Sequence, residues 1–198
     1  MESVEQRKRI LISVDWFPPA FRAGGPIRSA ANLASLLAKQ AEVWVVTGAL
    51  DLGESSPVVN QLNQWVSVPT ENGFIKVWYG SEINRRFWKN TLDEIQPHAV
   101  HLNSVFSPVF TLLPLRLLRT QKQIKTIIAP RGMFGASALG IKPLKKRVFL
   151  SLSRMMGWMD NVQWHASTAA EKHEVKAILP RAQVSVAQNL SSLLPQDN

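Results

Sequence analysis

Cysteine is absent from the 198 residues, which excludes a disulfide-stapled scaffold and any thiolate metal centre. The four histidines, His98, His101, His165 and His173, are not spaced as zinc ligands. Long apolar runs are lacking too. The best candidate for a membrane span, Val105 to Leu118, holds two prolines and Arg116, which argues against a transmembrane helix. A secretory leader is not expected, because Glu2 and Glu5 dilute the basic start and Asp15 ends the first short apolar run. Nor is there a Gly-x-Gly-x-x-Gly turn of the kind that holds a nicotinamide dinucleotide. Acidic residues are scarce: 14 against 23 Lys plus Arg leaves a formal charge of +9. That surplus attracts nucleic acid, anionic lipid or phosphorylated ligands without choosing among them. No nucleic-acid-binding module is visible, so nucleic acid is not an expected partner. The chain reads as cytoplasmic.

What is present is ordinary globular material, 45% hydrophobic with 10 Gly and 12 Pro, and the length suits one domain. Short β-rich apolar runs alternate with helix-like stretches. Strands are expected at Arg9–Val14, Glu42–Thr47, Ile75–Tyr79, His98–Asn103, Lys125–Ala129, Val162–Ala166 and Gln183–Ala187. Helices are expected over Pro26–Lys39, Asn84–Gln96, Ser107 to about Lys122 with a kink or restart at Pro114, and Pro143–Met159. A further helix opens at the capping box Thr168-Ala-Ala-Glu171 and stops before Pro180. Residues 49–72 read as a long irregular excursion. Repeated strand–helix–strand units with nearly continuous apolar strands predict an α/β fold. Its form is a Rossmann-like, doubly wound, mainly parallel seven-stranded sheet with helices on both faces. Ligands bind such sheets outside the carboxyl ends of the strands.

Five motifs lie near those ends or on a flanking helix. Phe17-Pro-Pro-Ala-Phe-Arg-Ala-Gly-Gly-Pro26 places Gly24 and Gly25 at a helix entrance, where backbone N–H groups approach an anion or simply make a tight turn. His101 and Asn103 share one strand face, with His101 read as a core histidine and Asn103 and Ser104 as ligand-facing. Pro130-Arg131-Gly132 offers a guanidinium at the ligand edge, suited to phosphate, carboxylate or a surface ion pair. Lys142, Lys145, Lys146, Arg147 and Arg154, interleaved with apolar residues, make a basic amphipathic helix, a solvated face or an anionic-membrane face. In Trp164-His165-Ala-Ser-Thr168, His165 is placed toward the cleft, while Ser167 and Thr168 start the next helix.

Taken in order, Phe17-Pro-Pro-Ala…Gly-Gly-Pro-x-Arg-Ser29, Val100-His-Leu-Asn-Ser-Val-Phe-Ser107, Ala129-Pro-Arg-Gly-Met…Ala-Leu-Gly-Ile-Lys-x-x-Lys-Lys146 and Trp164-His-Ala-Ser-Thr-x-x-Glu171 are more specific together than singly. The set resembles the N-terminal domain of the glycosyltransferase family 4 group, retaining enzymes of the two-domain GT-B fold, over about residues 9–190. The resemblance implies an acceptor-side domain across residues 1–190, a linker or tail beginning at 191–198, and a separate C-terminal domain, absent here, that holds most of the nucleotide-sugar donor. It implies no cofactor and no metal. Gly24 and Gly25 match the glycines that approach the donor diphosphate, Arg131 and Gly132 the Arg-Gly motif at the cleft edge, and His165 the histidine before the capping motif. Many relatives carry His-x-His on the fourth strand; here the second position is Asn103, which can hydrogen-bond a sugar hydroxyl but cannot be a general base. Arg22, Asn103, Ser104, Arg131, Gly132 and His165 are the expected acceptor contacts, with Asn103 and His165 nearest to catalysis.

The expected function is the acceptor-binding half of a retaining glycosyltransferase, inactive alone. It would act on a cell-envelope glycan or lipid-linked acceptor, peripheral at the inner face of the plasma membrane. Two other readings stay open: a non-catalytic acceptor-binding or membrane-docking subunit of a split enzyme, and a Rossmann nucleotide-binding module unrelated to sugars.

Overall fold

Consecutive rather than alternate residues are buried in the central strands: Leu11, Ile12 and Ser13 in the first, Val45, Val46 and Thr47 in the second. A strand apolar on both faces must be covered on both, which is the setting of a parallel sheet. A computed structural model describes residues 7–135, 157, 159 and 161–189. In chain order its elements are β1 (Lys8–Ser13), α1 (Gly25–Ala38), β2 (Ala41–Gly48), β3 (Trp65–Thr70), β4 (Gly73–Gly80), α2 (Arg85–Ile95) and β5 (Ala99–Leu102). A π-helical segment, Pro108–Leu112, then runs into α3 (Leu113–Leu118), followed by β6 (Lys125–Ile128), β7 (Val162–Ala166), α4 (Ala169–Ile178) and β8 (Gln183–Val186). The sheet order is β3-β4-β2-β1-β5-β6-β7-β8. The chain winds outward from β1 through β2 to β4, then returns to β5 on the other side of β1, so the topological switch lies between β1 and β5. This is a Rossmann-like α/β fold.

Each face has its own core. On one, Ala30, Ala34 and Ala38 bring α1 close against Ile12, Val43, Val45 and Val77. On the other, Trp88, Leu92 and Ile95 of α2, Leu115 and Leu118 of α3, and Val175 of α4 cover Leu11, Val100, Leu102, Ile128 and Trp164.

The sheet has eight strands among the described residues, not the seven expected. The seven expected strands are present and mutually parallel; the eighth, β3, lies within the stretch read as irregular and pairs antiparallel with β4 at the sheet edge. Its anchor is aromatic. Trp65 stands opposite Trp78 in the ladder and packs edge-on between Trp44 (centroids 4.8 Å) and Trp78 (5.4 Å). The segment after Ser107 restarts ahead of Pro114. That proline occupies the opening turn of α3, where its missing N–H leaves no bond unmade. The expected basic helix over 143–159, with Lys142, Lys145, Lys146, Arg147 and Arg154, lies outside the described residues except for positions 157 and 159. No helix among the described residues is long and apolar enough to cross a membrane.

Candidate functional site

Three adjacent parallel strands, β5, β6 and β7, end in polar residues, and the structure ties these ends together. Asn103 continues the β5 ladder, its N–H donating to Ser13 O at 2.9 Å. After β6 the chain turns through Arg131 and Gly132, both in the left-handed region (φ 53° and 73°). That conformation is strained for arginine and free for glycine. The turn is held by side-chain contacts. Arg131 Nε donates to Asn103 Oδ1 at 2.6 Å, and its Nη1 donates to Asn189 Oδ1. Gly132 N donates to Glu171 Oε1 at 2.6 Å. The other oxygen of Glu171 accepts from Ser167 N (2.6 Å) and Ser167 Oγ (2.8 Å).

The expected capping box is therefore only half formed. Thr168 Oγ1 caps α4 by accepting from Glu171 N at 3.1 Å, but the Glu171 carboxylate turns to Ser167 and Gly132. Burial pushes the Glu171 carboxyl up. Hydrogen bonds from Ser167 and Gly132, with the Arg131 charge, outweigh it and hold the group below its ordinary range. Burial lowers the Arg131 guanidinium, and Glu171 opposes that shift.

Beneath this layer two imidazoles bridge over β6. His101 Nε2 lies 3.3 Å from His165 Nδ1, and His165 Nε2 lies 2.9 Å from Ala187 O. A carbonyl only accepts, so His165 Nε2 carries a proton toward Ala187, and the neutral His101 can donate from Nε2 to His165 Nδ1. Among the described residues His101 Nδ1 is left a buried acceptor with no partner, and Asn103 Nδ2 a buried donor with none. Burial first, then the charges of Arg131 and His165, push His101 down to about 3, so it stays neutral. His101 is a core histidine as expected, but its partner is a second imidazole rather than backbone.

The expected site residues thus divide. Asn103 and Arg131 meet at the carboxyl edge, with Gly132 beside them, while His165 meets His101 and Ala187 O. Both ring nitrogens of His165 are engaged, which suits it to orienting its neighbours. Ser104 is buried and turned inward, accepting from Ser107 N at 3.2 Å and Thr111 Oγ1 at 3.4 Å. Arg22, Gly24 and Gly25 sit on the β1–α1 loop, which is tied to the β2 side. Asp51 accepts from the N–H groups of Phe21 (2.9 Å), Arg22 (3.3 Å) and Leu52 (2.7 Å), and the Arg22 side chain pairs with Glu54. Gly24 has φ 68°, and a Cβ at Gly24 or Gly25 would meet nothing within 4 Å, so space is open at the entrance of α1.

Sequence reasoning missed the Asp51 clamp, the His101–His165 bridge and the carboxyl of Asp15, whose Oδ1 accepts from Ser107 Oγ at 2.7 Å. Only a tertiary contact reveals these. The capping pattern flagged Glu171 but not its hold on Gly132. Chemically, the β5–β7 edge offers a fixed guanidinium, a buried amide donor and two imidazoles, a set able to hold an anion or a polyol. Among the described residues no three His, Cys, Asp or Glu side chains converge as metal ligands.

The chain is a Rossmann-like α/β domain with polar residues gathered at the carboxyl ends of β5–β7. No family model and no curated protein matches the chain. Among solved structures it is similar to a dTDP-glucose 4,6-dehydratase from Bacillus anthracis str. Ames, in complex with NAD, at 12% identity and a TM-score of 0.47. The match covers 80% of this chain and 54% of that one, so the chain spans about half the length of that structure.

Proposed function

We propose that this chain is the acceptor side of a retaining glycosyltransferase of the family 4 type, with the nucleotide-sugar donor held mainly by a second Rossmann-like domain. The observation that carries the reading is the Arg131–Asn103 pair. A guanidinium is fixed at 2.6 Å to an amide whose own N–H₂ is buried without a partner, at the edge where such folds take ligands. Arg131 holds a charged group of the acceptor, and Asn103 Nδ2 donates to a hydroxyl beside it. His165 keeps the imidazole layer in one tautomer beneath them. Gly24 and Gly25 leave the amino end of α1 open to the donor diphosphate. The acceptor hydroxyl attacks the anomeric carbon as the diphosphate leaves, and rate comes from positioning and from stabilising that leaving group. Acceptors are glycans or lipid-linked glycans, and the enzyme sits peripherally on the inner membrane face through its basic stretch at Lys142, Lys145, Lys146, Arg147 and Arg154.

The test is transfer from radiolabelled UDP- and GDP-hexoses to a membrane-lipid extract, using protein expressed from its complete reading frame. Label should enter the lipid or glycan fraction with the anomeric configuration of the donor retained. Arg131→Ala should lower the rate by about 10²-fold, in keeping with loss of a charged hydrogen-bonding clamp. Gly25→Ala, which meets no protein atom, should leave folding intact and slow transfer. Micromolar binding of NAD(P) with no incorporation of label would overturn the proposal.

A further inference from the structure

On the opposite side of the switch point from Arg131, the carboxyl ends of β1, β2 and β4 enclose a second hollow of about 400 Å³. Its floor is glycine: Gly48 ends β2, Gly80 ends β4, and the two stand opposite each other in the ladder. A Cβ on Gly48 would lie 3.1 Å from the Asp15 carbonyl oxygen and 3.7 Å from the Phe110 ring, between two of the walls. The remaining walls include Trp16, Ile83 and Val109.

Among the described residues Asp15 is the sole ionisable side chain lining this space, in a chain of net charge +9. Its orientation is built. Ser107 Oγ donates to Asp15 Oδ1 at 2.7 Å and accepts from Phe110 N at 3.2 Å, while Ser13 Oγ donates to Phe110 O at 2.6 Å. One serine thus fixes both the carboxylate and the π-helical turn that carries the aromatic wall, and π-helical turns recur at functional sites. Besides Ser107 Oγ, the Asp15 carboxyl is met among the described residues only by its own backbone N–H, which leaves it capacity to accept a further donor. Burial raises the Asp15 carboxyl above its ordinary range despite the bonds from Ser107 and from its own backbone N–H.

The chemistry of the hollow selects its ligand. A phosphate or carboxylate would face Asp15 with no Lys or Arg among the described lining residues to offset it. A primary ammonium needs three acceptors, and the described lining side chains supply the Asp15 carboxylate and a Ser81 hydroxyl already bonded to Asn63. A hydroxylated ring needs less: apolar C–H faces against Trp16 and Phe110, and one O–H to donate. We infer that the hollow between Asp15, Trp16, Gly48 and Phe110 is a binding site for an uncharged pyranose-class ring, with the Asp15 carboxylate accepting from one of its hydroxyls. The site stands apart from the anion-holding edge at Arg131 and does not require the glycosyltransferase reading. If that reading holds, the ring is a neutral residue of the acceptor.

Titration of ¹⁵N-labelled protein with methyl α-pyranosides of the gluco, galacto and manno series tests this, followed at the Trp16 indole N–H and the Gly48 and Gly80 amides. At least one glycoside should give saturable shifts there, with a dissociation constant of about 1–10 mM, the range open to so small a ligand. Asp15→Asn keeps the shape and an acceptor for Ser107 but can turn a donor toward the ring, and it should weaken binding about tenfold. Phe110→Leu, which spares the carboxylate, should weaken binding several-fold by removing the aromatic face. Inorganic phosphate should leave the Trp16 signal in place. Saturable phosphate shifts at Trp16, glycoside binding unchanged in both variants, or no saturable glycoside shift up to about 100 mM would each overturn the inference. Failure of sugar transfer from nucleotide donors would leave it standing.

Discussion

The two ends of the same sheet edge, one beyond β5–β7 and the other beyond β1, β2 and β4, follow one topology and present opposite chemistry. Beyond β5–β7 the edge residues are engaged: Arg131 bonds Asn103 and Asn189, Gly132 bonds Glu171, and His165 meets His101. Beyond β2 and β4 the strands end in Gly48 and Gly80, and the space those residues leave is lined by aromatic rings and one carboxyl. A parallel sheet supplies position; the last residue of each strand decides whether that position is filled or left open. The loop from Asn103 to Ser107 belongs to both halves, since Asn103 holds Arg131 at one end and Ser107 holds Asp15 at the other.

The contrast is easiest to break at Glu171, which is 5% exposed and accepts three hydrogen bonds. Glu171→Ala should cost about 3–5 kcal/mol, because it strands those donors and leaves Arg131 without its nearest counter-charge. The measurement is a urea midpoint at constant slope. Since the folded carboxyl titrates below its ordinary 4.5, its contribution is complete above that pH and fades as acid protonates it. Glu171→Gln should therefore flatten the acid limb below pH 4.5.

At the other half, Trp65→Ala removes the aromatic that seats β3 between Trp44 and Trp78. It should cost about 2 kcal/mol. Amides of residues 65–70 should lose hydrogen-exchange protection, while the β5–β7 ends keep theirs. Equal loss of protection at both ends would mean that the halves unfold as one unit.

A third measurement separates the halves by pH. His101 titrates at about 3 against an ordinary 6.5, so the unfolded chain takes up this proton first and stability declines as pH falls from 6.5 toward 3. The limiting slope is about 1.4 kcal/mol per pH unit. His101→Asn should remove that slope between pH 6.5 and 4.5, above the range where Glu171 acts.

The smallest effect is expected at Asp15. Its carboxyl is raised, so ionisation costs stability at neutral pH and the cost disappears below the ordinary 3.8. Asp15→Asn should stabilise the fold at pH 7 by less than about 1 kcal/mol even as it weakens glycoside binding. A destabilised Asp15→Asn would make the carboxyl a structural part of the loop.

Much of this was readable from local pattern. The seven parallel strands, the Asn84 and Thr168 caps and the polar strand ends at Asn103, Arg131 and His165 all follow from periodicity and turn chemistry, which act within a few residues. The edge strand β3 was not readable. Ser67 and Pro69 break its apolar pattern, and its stability comes from Trp44 and Trp78, distant in sequence. Glu171 looked like a capping residue because both its roles use the same spacing, and only the approach of Gly132 selected the other partner.

Hydrophobic periodicity, caps and breakers therefore specified the elements and their order, since these depend on neighbours along the chain. Which side chains would meet was settled by the winding of the sheet. Its switch between β1 and β5 brings residues 15 and 107 together at one end, and residues 103, 131, 165 and 189 together at the other. Contacts across 22 to 92 positions carry no local signature, because the free energy that forms them comes from burying both faces of the sheet at once.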